Sequence, residues 1–204
     1  ISFPALTDMT GTALGSGSSS HFHVINCPVL ASVDLPRLAR AGDVSFFDNP
    51  ELISVDLSLL ASAGDVRFSN NDKLPSILLP ALLTTTKRLL VVECDGLISI
   101  TADALTRLGT ELFLRNNSLL STISLQSLDE VGYYMNVENC GGLTNLNLPS
   151  LRNVSQAFRV QKNPVLATVS APLLVLAGRI QLHRALQPML TTAIIHPDPL
   201  VLSL

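Results

Sequence analysis

The sequence contains little charge and no long apolar run. Charged residues make up 14% of the 204 positions, and the formal net charge is −3. The 13 Lys and Arg residues are scattered rather than gathered into the basic stripe of a nucleic-acid-binding protein, so we expect no nucleic-acid partner. No stretch reaches the roughly 18 consecutive apolar residues of a membrane helix. The mean hydropathy of +0.41 therefore indicates a large core rather than a membrane span.

Catalytic and cofactor motifs are missing as well. The sequence has no Ser-His-Asp or Cys-His arrangement on a defined turn, no glycine-rich loop opening a helix, and no CxxC pair. We therefore predict no catalytic residue and no cofactor.

A repeat of 22 or 23 residues dominates what is present. Its clearest marker is a leucine that recurs seven times, at Leu30, Leu52, Leu74, Leu97, Leu120, Leu143 and Leu166. A fixed period of this length is typical of a solenoid, because a single unit cannot bury its own apolar face and stacking supplies the core. The apolar fraction of 47% fits a core that runs the whole length.

Two segments in each unit alternate between apolar and polar residues, as at 33–35 and 44–46. Alternation with a period of two predicts strands whose apolar side chains point inward. A helix is the main competing interpretation, but pairs such as Leu35-Pro36 would place a proline in its interior. Short helical turns between strands are compatible with the pattern. We predict an all-β, parallel β-solenoid of about eight rungs.

We expect a single domain over residues 1–185, with a surface loop inserted at 11–20. Residues 186–204 are predicted to be a degenerate last rung or an irregular C-terminal cap. The chain starts at Ile1 in mid-repeat, without a signal peptide, and neither end resembles the polar cap of a solenoid. Two explanations stay open: the chain is a trimmed or processed part of a longer protein, or its open ends meet other repeats or chains.

One position of the repeat, three residues before each leucine, holds only Asn or Cys. This ladder consists of Cys27, Asn49, Asn71, Cys94, Asn117, Cys140 and Asn163. We predict that the Asn amides satisfy backbone groups in the turns and that Cys replaces Asn as a small buried residue. The strand spacing puts Cys94 and Cys140 roughly 10 Å apart, whereas a disulfide needs Cα atoms within about 7 Å. We expect three free, buried thiols, and the alternative of a metal or redox cluster has no matching spacing.

The repeated phrase L-x-S-[IV]-x-L-P-x-L-x-x-x-G-x-[VL]-x-F-x-x-N-P-x-L resembles the receptor L-domain repeat, over about residues 1–185. It is most similar to the version in fungal cell-wall proteins with GPI anchors and in surface proteins of other microbial eukaryotes. The stretch Val44-x-Phe46-x-x-Asn49 is related to the leucine-rich repeat. The resemblance implies a right-handed β-solenoid that is secreted or at the cell surface and is not an enzyme.

Two departures from that family limit the resemblance. The disulfides and cysteine-rich neighbours of growth-factor receptor L domains are missing. Residues 197–204 are too short for a GPI signal tail, so an anchor is not predicted.

The outward side chains of the second strand form the candidate partner-binding surface. Four of them are apolar and two arginines flank them: Phe47, Leu90, Val92, Phe113, Arg67 and Arg115. An exposed apolar patch rimmed by charge marks a contact site. The alternatives are that a loop or the C-terminal tail covers the patch, or that the predicted register is shifted by one in the 23-residue units.

Two further groups could carry chemistry. Asp34 and Asp56 occupy equivalent positions and could act as acid and base or bind calcium. No third carboxylate follows in that column, and like charges on a solvated edge that oppose aggregation are the preferred interpretation. His21 and His23 both point outward and could bind a metal. A third ligand is not apparent, so no metal site is predicted.

Three functions of different classes remain. The first is a non-enzymatic extracellular structural or adhesive protein within a cell-surface, cell-wall or filamentous assembly, with protein partners or self-association through open ends and the apolar face. The second is a ligand-binding ectodomain for a peptide or glycan. The third, a carbohydrate-active enzyme, would need clustered acidic and basic residues on one face. Asn116 and Asn153 begin N-x-S triplets and are candidate glycosylation sites.

Overall fold

The computed structural model describes residues 1–9, 21–182 and 192–195. Within these ranges the chain forms parallel strands stacked as a β-solenoid of about seven turns, and no described residue is helical. The predicted all-β solenoid is confirmed, close to the eight rungs expected. The predicted insertion at 11–20 and most of the predicted cap at 186–204 lie outside the described residues.

None of the described residues belongs to a helix long and apolar enough to cross a membrane.

Each turn contributes strands to three flanks of the solenoid. The first flank consists of β3 (Ser32–Asp34), β6 (Ser54–Asp56), β9 (Ser76–Leu78), β12 (Ser99–Thr101), β15 (Thr122–Ser124), β18 (Asn145–Asn147), β20 (Thr168–Ala171) and β22 (Thr192–Ile195). The second flank consists of β1 (Asp8–Met9), β4 (Arg40–Ala41), β7 (Ser62–Ala63), β10 (Thr84–Thr85), β13 (Arg107–Leu108) and β16 (Glu130–Val131). The third flank consists of β2 (Phe22–Ile25), β5 (Val44–Phe47), β8 (Val66–Ser69), β11 (Leu89–Val92), β14 (Leu112–Asn117), β17 (Tyr134–Cys140), β19 (Asn153–Gln161) and β21 (Leu176–Leu182).

The second and third flanks join in one 14-stranded sheet, because the long strand β19 pairs with both β16 and β17. The first flank is divided into the pair β3–β6 and the triplets β9–β12–β15 and β18–β20–β22. Equivalent residues of successive repeats are partners in these ladders, as with Ile77, Ile100 and Ile123. The repeat in the sequence is therefore the repeat of the backbone.

The core follows the apolar columns of the repeat. Six of the seven marker leucines, from Leu52 to Leu166, are fully buried, whereas Leu30 in the first rung is only partly buried. Phe46 and Phe68 stack on adjacent rungs with ring centroids 5.0 Å apart. Burying a side chain of this size contributes roughly 1.5–3 kcal/mol. Stacking therefore provides the stabilisation that one rung lacks alone.

A left-handed residue ends each strand of the third flank. The residues with positive φ, between 53° and 57°, are Asn26, Asp48, Asn70, Glu93, Asn116, Asn139 and Lys162. This conformation strains most L-residues and is best tolerated by Gly, Asn and Asp. It turns the chain sharply, so that the next residue, always a member of the Asn/Cys ladder, points into the solenoid.

The buried Asn side chains tie each turn to the preceding rung. Asn117 Nδ2 donates to the carbonyl of Val91 at 3.0 Å, and its Oδ1 accepts the N–H of Cys94 at 3.0 Å. Asn163 makes the same two bonds to Val137 (3.0 Å) and Cys140 (2.9 Å). One amide thus satisfies a donor and an acceptor that the turn would otherwise leave unpaired in the core.

The three cysteines are free. Cys94 and Cys140 are buried, and burial raises the pKa of Cys94 to about 11 and that of Cys140 to about 12. Their thiols therefore stay protonated at neutral pH, and each lies within weak hydrogen-bonding distance of the carbonyl two residues earlier. The expectation that all three are buried is wrong for Cys27, which is only half-buried because it belongs to the first described rung of the third flank.

The period lengthens from 22 to 23 residues at one corner of the solenoid. Ala63 and Val66 flank two corner residues, whereas their partners Thr85 and Leu89 flank three. The extra residue lies between the second and third flanks, so the strands on either side keep their register. Close stacking at this corner also explains its glycines, because a Cβ on Gly132 would overlap the carbonyl oxygen of Gly109 on the preceding rung.

We predict that Asn117→Leu lowers the free energy of unfolding by roughly 1–3 kcal/mol, because the Cys94 N–H and the Val91 carbonyl lose their buried partner. Urea unfolding followed by circular dichroism measures the change. The matched control is Asn147→Leu, the same substitution at an exposed position, which should shift stability by no more than about 0.5 kcal/mol. Equal stability of Asn117→Leu and the unsubstituted protein would show that the ladder does not support the turns.

Candidate functional site

The outward side chains of the third flank form two columns that run along the solenoid. The inner column contains His23, Ser45, Arg67, Leu90, Phe113, Asn136, Arg159 and Gln181. The outer column contains Ile25, Phe47, Ser69, Val92, Arg115, Glu138 and Gln161. Each column places residues that are 22 or 23 positions apart in the sequence side by side.

Three of the four predicted apolar contact residues lie together. Leu90 and Phe113 are register partners in the inner column, and Val92 lies two residues beyond Leu90 on the same strand. All three are half-buried, and none belongs to the core cluster. Phe47 is also half-buried, but Ser69 stands between it and Val92 in the outer column. We call Leu90, Val92 and Phe113 the apolar patch.

The two predicted flanking arginines are next to the patch and already have acidic partners. Arg67 is the register partner of Leu90, and its guanidinium donates to the carboxylate of Asp65. Burial, together with the nearby charge of Arg88, lowers the pKa of Arg67. Arg115 is the register partner of Val92, and its Nε lies 3.8 Å from Oε2 of Glu138. The rim of the patch is therefore charged but close to neutral overall.

The sequence analysis missed a row of ion pairs at the corner before the third flank. We call Asp43, Asp65, Arg67, Lys87 and Arg88 the ionic corner. The carboxylate of Asp65 is fully buried and accepts the backbone N–H of Arg88 at 3.1 Å, with Arg88 Nε 3.3 Å away. Asp43, also buried, accepts the backbone N–H of Asp65 at 2.9 Å and contacts Lys87 Nζ at 3.1 and 3.2 Å.

A local sequence signal for the acidic half of this corner exists, since Ala-Gly-Asp-Val occurs at 41–44 and again at 63–66. The basic half comes from the first unit that carries the extra corner residue. Lys87 and Arg88 reach back across the rungs to the aspartates, and the repeat pattern gives no indication of that reach.

The ionic corner borders an open depression of about 440 Å³. Its lining residues are Asp65, Arg67, Lys87, Arg88, Thr110, Glu111 and Tyr133. Tyr133 is 43% exposed, and its ring contacts that of Tyr134 with centroids 4.2 Å apart. The depression combines charged groups, a hydroxyl and an aromatic face, which are groups suited to a polar ligand.

The other candidates lie away from the patch. Asn116 occupies one of the left-handed turns, where its side chain bonds Glu93 at 3.3 Å and Asn139 at 3.0 Å. Asn153 lies in β19 and is half-buried, and its Oδ1 has no hydrogen-bond partner among the described residues. Both stay candidate glycosylation sites.

Asp34 and Asp56 are register partners at the ends of β3 and β6, and both are half-buried. The equivalent residue of β9, on the next rung, is Leu78, so the acidic pair does not extend along the first flank.

Comparison with known families supports a repeat protein. A family model described as BspA type Leucine rich repeat region matches the chain in six copies, over residues 21–119 and 42–163. No curated protein and no solved structure gives a significant match to the chain. The family match confirms the predicted relation to leucine-rich repeats. It does not show the closer similarity to GPI-anchored cell-wall proteins.

We predict that Asp65→Asn lowers the free energy of unfolding by roughly 2–3 kcal/mol. Removing one partner of a buried ion pair costs roughly 3–5 kcal/mol, and the partial exposure of Arg67 and Arg88 reduces this cost. Chemical denaturation measures it, with Asp72→Asn, an exposed aspartate given the same substitution, as the control. If both variants unfold at the same denaturant concentration, the ionic corner does not stabilise the fold.

Proposed function

Because the chain belongs to the BspA-type leucine-rich repeat family, we propose that it is a non-enzymatic extracellular repeat protein with a structural or adhesive role. It acts within a cell-surface, cell-wall or filamentous assembly. Leucine-rich repeats are generally protein-interaction modules, and stacked repeats present extended surfaces to their partners. The observation that carries the proposal is the apolar patch on the third flank.

The patch has the composition of an interface core. Leu90, Val92 and Phe113 are half-buried at positions where the alternation of the strands directs side chains outward. Interface cores are depleted in charge and enriched in aromatic residues, and a few such anchors carry most of the binding energy. The neighbouring Arg67 and Arg115 supply a polar rim in which the charges are already paired.

The ends of the stack provide a second surface for partners. In the 14-stranded sheet, β2 pairs only with β5 and β1 pairs only with β4 among the described strands. Unpaired strand edges recruit other strands unless they are blocked. We propose that further repeats, neighbouring subunits or other proteins continue the stack there.

A ligand-binding ectodomain is the second candidate function. The open depression lined by Arg67, Glu111 and Tyr133 favours it, because it offers charged groups beside an exposed aromatic ring. A peptide or a glycan is the class of ligand that fits such groups. The carbohydrate-active enzyme is the least favoured candidate, since the Asp34–Asp56 pair stands alone on its flank among the described rungs.

We predict that the protein associates as its concentration rises and that Phe113→Asp weakens this association without unfolding the solenoid. A carboxylate at Phe113 would have to lose its water in the interface, which is unfavourable without a partner. Sedimentation velocity over a concentration series measures the association, and circular dichroism verifies the fold. The control is Leu78→Asp, which changes an apolar residue of the first flank that is 54% exposed.

The control variant should associate like the unsubstituted protein. A stable monomer at the highest soluble concentration, or equal weakening by both substitutions, would contradict assembly through the third flank.

A further inference from the structure

Three potential metal ligands converge at the first two rungs of the third flank. The nitrogen and oxygen atoms that His21, His23 and Asp43 can offer all lie within 4.8 Å of one another. The pairing of Phe22 with Val44 explains the convergence, because it sets His21 opposite Asp43 on the adjacent strand. His23 follows two residues after His21 and so lies on the same outward face. The third ligand that the sequence did not reveal therefore comes from the neighbouring rung.

The carboxylate of Asp43 is held in place before any metal binds. It is buried, and its Oδ1 accepts the backbone N–H of Asp65 at 2.9 Å. Its Oδ2 lies 3.1 Å from Nδ1 of His21. Hydrogen bonds of this kind orient the carboxylates that ligate metals.

The two imidazoles are arranged to share one ion. Both histidines are exposed, and their rings are stacked with centroids 5.3 Å apart and an interplanar angle of 29°. Ser45, the register partner of His23, is fully buried, and its Oγ has no hydrogen-bond partner among the described residues. An unsatisfied hydroxyl beside the cluster is a second sign that a polar ligand belongs there.

We propose that His21, His23 and Asp43 bind one divalent first-row transition-metal ion, with Zn²⁺ as the representative. Two imidazoles and a carboxylate suit Zn²⁺, Ni²⁺ or Cu²⁺, whereas Ca²⁺ and Mg²⁺ prefer oxygen ligands only. Three protein ligands leave at least one coordination position for solvent or for a group from a partner. Because the ligands come from two rungs, the ion cross-links the first rung of the flank to the second.

Lys87 is the competitor for this site. Its Nζ lies 3.1 and 3.2 Å from the two oxygens of Asp43, where it balances the carboxylate charge. Half of the Lys87 side chain is exposed, so the ammonium can move into solvent when a cation takes its place. The metal and Lys87 therefore exclude each other, which gives the site a distinctive response to substitution.

The test is isothermal titration of Zn²⁺ into the chelator-treated chain, with thermal unfolding as a second readout. We expect one ion per chain and a higher unfolding temperature with Zn²⁺, because the ion binds only the folded state. His23→Gln should weaken binding at least tenfold and remove the thermal shift, and its exposed position should leave the fold intact. Lys87→Met should tighten binding several-fold.

Cys27→Ser is the matched control, because the half-buried thiol of Cys27 is the nearest alternative ligand on the same rung. It should bind Zn²⁺ like the unsubstituted chain. The proposal is overturned if the unsubstituted chain shows no saturable binding, if His23→Gln binds with unchanged affinity, or if Cys27→Ser abolishes binding.

Discussion

The structure depends on one side-chain amide that spans two rungs. A left-handed residue makes the turn after each strand of the third flank, and the buried Asn that follows pairs the polar backbone groups inside it. Asn49, like Asn117 and Asn163, accepts the N–H of the ladder residue on the preceding rung and donates to a carbonyl of the preceding strand. Without these bonds the turns could not be buried, and the rungs would lose their spacing.

The same interaction explains where cysteine is tolerated. Cys27, Cys94 and Cys140 are each followed one rung later by an asparagine, at 49, 117 and 163. That asparagine needs only the backbone N–H of the cysteine, which any residue other than proline supplies. The column is therefore a set of Cys–Asn pairs and continuous Asn runs in which no two cysteines are adjacent.

The backbone repeat could be predicted from the sequence because each of its features recurs. The alternation at 33–35, the leucine marker and the Asn/Cys ladder all repeat with one period, and one physical reason accounts for each. Interactions that occur once could not be read in this way. The contacts of Lys87 and Arg88 with Asp43 and Asp65 depend on a single added corner residue and on side chains that cross rungs.

The surface sites follow from the same geometry. A solenoid converts residues 22 or 23 positions apart into neighbours, so Leu90 meets Phe113, and Asp43 meets His21. The extra corner residue could have shifted Leu90 and Val92 by one position and turned them inward. It is instead absorbed before β11, which keeps the apolar patch on the outward face.

Two deletions of 23 residues test most directly whether the Asn ladder holds the stack together. Removing 72–94 leaves Asn71 and Asn117 on adjacent rungs, whereas removing 95–117 makes Cys94 and Cys140 neighbours with no Asn between them. Both variants lose one whole rung and keep the register. We predict that chemical denaturation finds the first variant more stable by roughly 1–3 kcal/mol, the cost of buried backbone groups left unpaired. Equal free energies of unfolding would contradict the dependence of the fold on the asparagine amides.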